Sequence, residues 1–216
     1  MELYDNEIAA KVAEQLLQIE AIRLQPEKPF TWASGWKSPI YCDNRLSLSY
    51  PEVRTYIKSG LIKAIQENFK DVEAIAGVAT AGIPQGALLA DGLNLPFIYV
   101  RSKAKGHGME NMIEGKVTKG QKVVVVEDLV STGGSSLKAV QDLKNAGFEI
   151  LGMVAIFTYG FEVAKRNFED ANVKLICLSN YSAMLPQALA KDYIDDETLA
   201  SLVEWRKAPE TWQGYR

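Results

Sequence analysis

The sequence has few of the side chains that bind transition metals or form disulfides. Its 216 residues include one histidine, His107, and two cysteines, Cys42 and Cys177. A single histidine excludes a zinc site built from three histidines. The two cysteines form no C-x-x-C pair and no disulfide framework. We therefore expect both to be small packing residues in a reducing, cytoplasmic compartment.

Long apolar runs and a surplus of basic residues are also missing. No run approaches the roughly 20 apolar residues that span a bilayer. The start of the chain is polar and acidic, unlike a secretory signal peptide. The formal net charge is −3, from 24 basic and 27 acidic side chains. Since proteins that bind duplex nucleic acid usually carry a basic surplus, we expect neither a membrane nor a nucleic acid as partner.

The composition that remains is typical of a globular protein, with 47% apolar and 24% charged residues. The length favours a single domain over residues 1–216. Within it, residues 1–50 are expected to contribute a helix and a small cover, which we call the hood. Residues 30–45 are both aromatic and polar, which suits either a surface hairpin or a cover over a site.

The middle of the chain alternates short apolar segments with amphipathic ones. Ahead of it, apolar spacing predicts a helix over 5–24, and Pro51 suits the first turn of a helix over 51–69. Strands are predicted at Ala74–Val78, Phe97–Val100, Val123–Glu127, Leu151–Phe157 and Val173–Leu178. Helices are predicted over 83–92, 134–146 and 160–170, and the last 35 residues also have a helical pattern. This order predicts an α/β fold with a doubly wound, mainly parallel sheet flanked by helices.

One segment carries most of the functional signal. Four valines, 123–126, precede Glu127 and Asp128, and a turn rich in glycine and hydroxyl groups follows at Ser131–Ser136. In a doubly wound sheet, ligands bind beyond the carboxyl ends of the strands. The backbone N–H groups of this turn, and the N-terminus of the helix after it, are suited to bind a phosphate monoester.

The two acids suit a different part of the same ligand. Carboxylates repel a phosphate, but they accept hydrogen bonds from a diol or hold Mg²⁺ through water. A phosphate site beside paired acids therefore indicates a phosphorylated ribose, and the alternative is a buried strand that ends in a solvated turn. The chain has no G-x-x-x-x-G-K-[ST] sequence and no G-x-G-x-x-G after a strand, which excludes a P-loop hydrolase and a dinucleotide fingerprint.

A second segment is strongly basic in an otherwise acidic chain. Residues 101–122, the cationic segment, contain six basic and two acidic side chains, for a net charge of +4, together with four glycines. Such a segment is suited to close over a pyrophosphate leaving group and to offset the charge that develops on it. The alternative is a solvated hairpin with one basic face.

Segment 123–135 resembles the phosphoribosyl pyrophosphate (PRPP) motif of type I phosphoribosyltransferases, and the chain is similar to the orotate branch of that family. Three further stretches carry the resemblance, which covers about residues 5–180: Phe30–Tyr41, Gly77–Pro84 and Arg101–Gly108. The resemblance implies that PRPP and orotate give orotidine 5′-monophosphate (OMP) and pyrophosphate in pyrimidine biosynthesis. Orotate supplies its own ring nitrogen as nucleophile, so no serine or cysteine nucleophile is needed.

The resemblance also implies a role for each motif residue. Lys105, Arg101 and His107 are expected to bind pyrophosphate, with Lys105 the principal catalytic residue. Asp128, the fourth catalytic residue, is expected to hold the ribose hydroxyls together with Glu127 and to stabilise the positive charge that develops on the ring carbon. The PRPP-binding set comprises Arg101, Lys105, His107, Glu127, Asp128, Leu129, Val130, Ser131, Thr132, Gly133, Gly134 and Ser135.

The implied cofactor and partners follow from the same family. Mg²⁺ is expected to be held mainly by PRPP and water, with no dedicated side-chain ligands. A cytoplasmic homodimer is expected, in which the cationic segment of one subunit reaches the active site of the other.

The base-binding contacts depart from the common family pattern. Orotate is expected beside Lys37, Tyr41 and Ser131. Many members place an arginine after the fourth strand to meet the orotate carboxylate, but this chain reads Phe-Thr-Tyr-Gly at 157–160. How the carboxylate is held is therefore open. Two alternatives also remain, a type I transferase for another nucleobase and a PRPP-sensing regulator that binds nucleic acid.

Overall fold

The computed structural model of the protein describes residues 1–32, 35–102, 112–212 and 214. The N-terminal part comprises β1 (Glu2–Leu3), α1 (Asn6–Gln18), β2 (Ile22–Leu24), β3 (Phe30–Thr31), β4 (Lys37–Ser38), β5 (Ile40–Cys42), a 3-10 helix (Asn44–Ser49) and α2 (Pro51–Asn68). The remainder comprises β6 (Ala74–Val78), α3 (Gly82–Leu93), β7 (Phe97–Val100), β8 (Ile113–Glu114), β9 (Lys122–Val130), α4 (Gly134–Asn145), β10 (Glu149–Thr158), α5 (Glu162–Asp170), β11 (Leu175–Asn180), α6 (Tyr181–Ala190) and α7 (Asp196–Lys207). In the described part of the chain, no helix has the length and apolar character needed to cross a membrane.

A seven-stranded sheet forms the centre of the fold, with strand order β1-β11-β10-β9-β6-β7-β8. Every neighbouring pair is parallel except β7 with β8. Strand β9 occupies the middle because its valines, 123–126, are fully buried and contact helices on both faces. The predicted α/β fold with a doubly wound, mainly parallel sheet is confirmed.

Alternate residues of the strands supply two hydrophobic cores. Val124 and Val126 pack with α1, α2, α3, α6 and α7 on one face of the sheet. Val123 and Val125 pack with α4 and α5 on the other face. Because successive side chains of a strand point to opposite faces, one apolar run serves both cores. The two cores fix β9, and therefore the acidic residues at its end, from both sides.

The hood contains two small antiparallel pairs, β2 with β5 and β3 with β4. The predicted helix over 5–24 is wrong at its C-terminal end, since α1 ends at Gln18 and residues 22–24 form β2. Glu20 adopts a left-handed conformation (φ 57°), which ends the helix. After it, Ile22, Arg23 and Leu24 alternate between buried and exposed, and this period of two is typical of a strand.

The C-terminal helices fasten the hood to the sheet. Trp205 of α7 is fully buried, and its Nε1 donates a hydrogen bond to the carbonyl oxygen of Lys37 at 3.2 Å. Its ring contacts Trp32 of the hood and Tyr159 at the end of β10, with centroid distances of 5.7 and 6.0 Å. Buried aromatic pairs of this kind each stabilise a fold by about 0.5–1.5 kcal/mol beyond simple burial. The predicted helical pattern of the C-terminal part is confirmed in α6 and α7.

Candidate active site

The turn after β9 forms a glycine-dependent loop, residues 131–135, which we call the phosphate loop. Strand β9 runs to Val130, three residues past its predicted end at Glu127, so both acids lie inside the strand. Gly133 has a φ of +83°, and a Cβ there would lie 2.7 Å from the Phe168 ring. Glycine is therefore required by both conformation and space. Helix α4 begins at Gly134, directly after the loop.

Hydrogen bonds hold the phosphate loop in place from two neighbouring elements. The Nδ2 of Asn167, on α5, donates to the carbonyl oxygen of Thr132 at 2.9 Å. At the end of β10, the hydroxyl of Thr158 donates to the carbonyl oxygen of Val130, also at 2.9 Å. With these carbonyls occupied, the hydroxyls and N–H groups of the loop remain as donors for an anion.

A second helix begins beside the acids. Helix α3 starts at Gly82, and a Cβ on this residue would collide with the carbonyl oxygen of Val126. Gly77 is equally constrained, because its Cβ would lie 2.7 Å from the carbonyl oxygen of Gly82. The start of α3 therefore lies directly against β9. The N-termini of two helices consequently flank the acidic end of this strand.

Glu127 is almost completely buried and held from two sides. The hydroxyl of Ser136, on α4, donates to its Oε2 at 3.0 Å, and the backbone N–H of Asp128 donates to its Oε1 at 3.1 Å. Burial raises the pKa of Glu127 to about 8, and the neighbouring charge of Asp128 adds to this effect. Burial also raises the pKa of Asp128. Two carboxylates held together in this way favour a ligand that supplies hydroxyl donors or a cation.

The titration of Glu127 gives a testable dependence of stability on pH. Its pKa is higher in the folded protein than in the unfolded chain, so the free energy of unfolding falls as pH rises from about 4.5 to about 8. We expect Glu127→Gln to flatten this fall and to raise Tm at pH 8. A gain of about 1 kcal/mol would shift Tm by roughly 2–4 °C in a domain of this size. Thermal unfolding of the free protein at pH 5, 6.5 and 8 measures this effect.

Glu149→Gln is the matched control, because Glu149 lies exposed at the start of the neighbouring strand β10. This variant is expected to keep the wild-type dependence of Tm on pH. Parallel curves for the wild type and Glu127→Gln would show that Glu127 is not the titrating group.

A chain of buried polar groups, unanticipated from the sequence, ties the hood to Asp128. The Nδ2 of Asn44 donates to the backbone carbonyl oxygen of Asp128 at 2.8 Å. The hydroxyl of Ser47 donates to the carbonyl oxygen of Asn44 at 2.7 Å, and the Nε2 of Gln85 donates to the Ser47 hydroxyl at 3.4 Å. Asn44 and Ser47 are fully buried. The only signal in the sequence is a polar pair, Asp43-Asn44, after an apolar strand, and it does not reveal a contact across 84 residues.

The predicted orotate residues Lys37 and Tyr41 both lie in the hood. Lys37 is exposed, and its Nζ donates to the hydroxyl of Thr31 at 2.9 Å. The Tyr41 ring lies 5.5 Å from the ring of Phe30 and 5.1 Å from the guanidinium of Arg23. Strand β5 places Tyr41 three residues before Asn44, the residue bonded to Asp128. The hood segment that carries Tyr41 is thus fixed to the acidic end of β9.

Only the first two residues of the predicted pyrophosphate-binding stretch, Arg101 and Ser102, fall within the described residues, and Lys105 and His107 lie outside them. The guanidinium of Arg101 donates to Glu114 at 3.0 Å, and its backbone N–H donates to the carbonyl oxygen of Met112. The cationic segment therefore leaves and rejoins the sheet at one place. Arg101 and Ser102 line a cavity of about 100 Å³ together with Ala79 and Ser135. This cavity brings together the base of the cationic segment, the 79–81 loop and the phosphate loop.

Among the described residues, no group of three or more histidine, cysteine, aspartate or glutamate side chains is arranged to hold a metal ion. The acidic pair at 127–128 offers carboxylate oxygens, which are the donors Mg²⁺ prefers. These carboxylates fit an ion that takes its remaining ligands from a diphosphate and water.

The sequence matches the phosphoribosyl transferase domain family over residues 52–190. It is 61% identical to the orotate phosphoribosyltransferase of Cytophaga hutchinsonii, over 94% of this chain and 97% of that protein. The orotate phosphoribosyltransferase of Aeropyrum pernix has a similar structure (TM-score 0.75, 28% identity, 85% of this chain and 99% of that one). Leishmania donovani UMP synthase is also similar (TM-score 0.78, 27% identity, 91% of this chain), and the matched region spans 42% of that longer protein.

Proposed function

The chain belongs to the orotate phosphoribosyltransferases, and from this premise we propose which of its residues bind each part of the substrates. The enzyme transfers the phosphoribosyl group of PRPP to orotate and releases OMP and pyrophosphate, a step of pyrimidine biosynthesis. One observation carries the residue assignment. The acids of β9, Glu127 buried and Asp128 partly buried, lead directly into the phosphate loop, between the starts of two helices.

The phosphate loop binds the 5-phosphate of PRPP. Its hydroxyls and N–H groups, from Ser131 to Ser135, donate to the phosphate oxygens, and the N-terminus of α4 adds a favourable dipole. Leu129 and Val130 connect the acids to this loop, and Thr132 is held by Asn167. The loop is therefore positioned before substrate arrives, which lowers the entropic cost of binding.

Glu127 and Asp128 accept hydrogen bonds from the ribose hydroxyls. The diol then supplies the donors that a crowded pair of carboxylates favours. As pyrophosphate leaves, positive charge develops on the ring carbon, and the carboxylate of Asp128 stabilises it electrostatically. Asn44 holds the backbone of Asp128 during this step. Orotate attacks the same carbon through its ring nitrogen, beside Lys37, Tyr41 and Ser131.

Mg²⁺ is the cofactor that this donor set fits. PRPP and water would supply its ligands, and the acidic pair would hold it through water. When bound, the ion offsets negative charge on the diphosphate.

The cationic segment binds the pyrophosphate that departs. Lys105, Arg101 and His107 offset its charge, with Lys105 contributing most. His107 donates a proton to the leaving group near neutral pH. The subunits pair as a homodimer, so that Lys105 of one subunit serves the site of its partner.

Residues 1–216 form one domain, because hood residues share a core with the sheet. The two unpaired cysteines favour a cytoplasmic location.

The assignment predicts consumption of orotate that depends on both PRPP and Mg²⁺. The ultraviolet absorbance of orotate should fall on addition of PRPP, stop with a chelator and resume with added Mg²⁺. Asp128→Ala should abolish most of this activity, whereas Asp71→Asn, an exposed residue paired with Lys122 at the opposite end of β9, should not. If adenine, hypoxanthine or uracil reacted and orotate did not, the assignment of orotate would be wrong.

A further inference from the structure

Orotate carries a carboxylate beside its reacting nitrogen, and this anion needs a partner at the base end of the site. A carboxylate removed from water is stabilised mainly by charge-assisted hydrogen bonds, which a guanidinium provides best. The strand end next to the phosphate loop, residues 157–160, contains no cationic side chain. The partner must therefore come from another element.

Three cationic side chains of the hood already contact other residues of the hood. Arg45 forms a two-point ion pair with Asp43, at 2.6 and 2.8 Å. Arg23 lies over the rings of Phe30 and Tyr41. Lys37 donates to Thr31, as described above.

Arg206 of α7 is a cation that keeps unused donors and lies beside the end of β10. In the described part of the chain, its guanidinium makes one hydrogen bond, from Nη1 to the carbonyl oxygen of Gly160 at 3.2 Å, and no ion pair. A guanidinium has five N–H donors in a planar fork. Arg206 is nevertheless partly buried. A partly buried cation with unused donors favours an anion beside it.

The position of Arg206 is fixed by its neighbour. Trp205 bonds the carbonyl oxygen of Lys37 and packs against Tyr159. Arg206 therefore reaches Gly160, just after β10, from a helix whose preceding residue contacts the hood, where the base is expected. Gly160 leaves room for it, because a Cβ there would lie 3.2 Å from Nη1.

We propose that Arg206 is the specificity-determining residue that binds the carboxylate of orotate. The proposal rests on the placement of orotate beside Lys37, Tyr41 and Ser131 in the proposed function. The remaining N–H groups of the guanidinium pair with the two carboxylate oxygens, while Nη1 stays bonded to Gly160. Bases without this carboxylate, such as uracil, then leave the cation unpaired and bind less well.

Binding of OMP and of UMP tests the proposal, because these nucleotides differ only by the carboxylate. We expect Arg206→Gln to raise the Kd of OMP at least about tenfold, as for a lost charged hydrogen bond, and to change the Kd of UMP less than about twofold. Arg206→Lys keeps the charge without the fork and should lose less. Lys207→Gln, an exposed neighbour paired with Glu204, should match the wild type. Titration calorimetry measures each value.

The outcomes separate the proposal from its premise. Equal weakening of OMP and UMP by Arg206→Gln would assign Arg206 a structural role through Gly160. Wild-type affinity of either Arg206 variant for OMP would rule out the contact. A wild-type protein that converts orotate with PRPP but fails to prefer OMP to UMP would overturn the carboxylate site alone. A wild-type protein that does not convert orotate would instead overturn the proposed function.

Discussion

Replacing Lys105 with alanine is expected to lower kcat at least about 100-fold while PRPP still binds. The positive charge of Lys105 is needed most when pyrophosphate leaves, because negative charge on the departing oxygens is then greatest. The cationic segment starts at Arg101, beside the phosphate loop and the 79–81 loop. The start of the cationic segment therefore lies where the diphosphate of PRPP is expected. Loss of a donor that acts mainly in the transition state lowers kcat more than affinity.

Steady-state kinetics with varied PRPP measures kcat and KM separately, and titration with PRPP alone measures binding. Lys116→Ala is the matched control, because Lys116 is an exposed lysine of the same segment. It should retain turnover within about twofold, as expected for an exposed charge. An unchanged kcat for Lys105→Ala would contradict the role of the segment in catalysis. A loss confined to KM would show that Lys105 binds the ground state and transition state equally.

Pairing two inactive variants in one dimer is expected to restore about half of the wild-type activity. The dimer combines a Lys105→Ala subunit with an Asp128→Ala subunit. If the cationic segment serves the partner's site, one site of this dimer has an intact Asp128 and an intact Lys105. The other site lacks both residues. Each parent homodimer lacks one of the two residues in both sites, so its activity should stay at about 1% or less.

Co-expression of the two variants with different affinity tags, followed by two-step purification, gives the mixed dimer free of both parents. A mixed dimer of wild-type and Lys105→Ala subunits is the control, and it should also show about half of the wild-type activity. An inactive dimer of the two variants would show that each site uses its own Lys105. A chain that purifies as a monomer would contradict the shared site altogether.

The strands of the central sheet could be predicted from the sequence because each is indicated by a short apolar segment of its own. Strands β6 and β7 begin and end where the apolar segments predict, at Ala74–Val78 and Phe97–Val100. The hood was harder to predict from the sequence. Residues Ile22–Leu24 continue the apolar pattern of α1, and the left-handed conformation of Glu20 marks the break between helix and strand. A single non-glycine residue in that conformation leaves no clear mark in the sequence.

The phosphate loop and its acids were predictable for the same reason as the sheet. They follow one another along the chain, and the glycine at 133 has a direct conformational cause. The contacts that support them are distant in sequence. Asn44 reaches Asp128 across 84 residues, and Arg206 reaches Gly160 across 46. Periodicity and spacing report on neighbours along the chain, so these partners required the folded structure. The roles of Lys105 and His107 stay predictions from sequence.

The bond between Trp205 and Lys37 has a consequence for the growing chain. It joins positions 168 residues apart. Strand β1 likewise cannot pair until β11 has been synthesised, since Glu2 pairs with Ile176. At about 5–20 residues per second, the ribosome takes roughly 8–35 s to supply these partners. During that interval the apolar side chains of the hood and of α1 lack their final neighbours. The contacts that join the hood and β1 to the rest of the fold therefore form only after the C-terminal part has been synthesised.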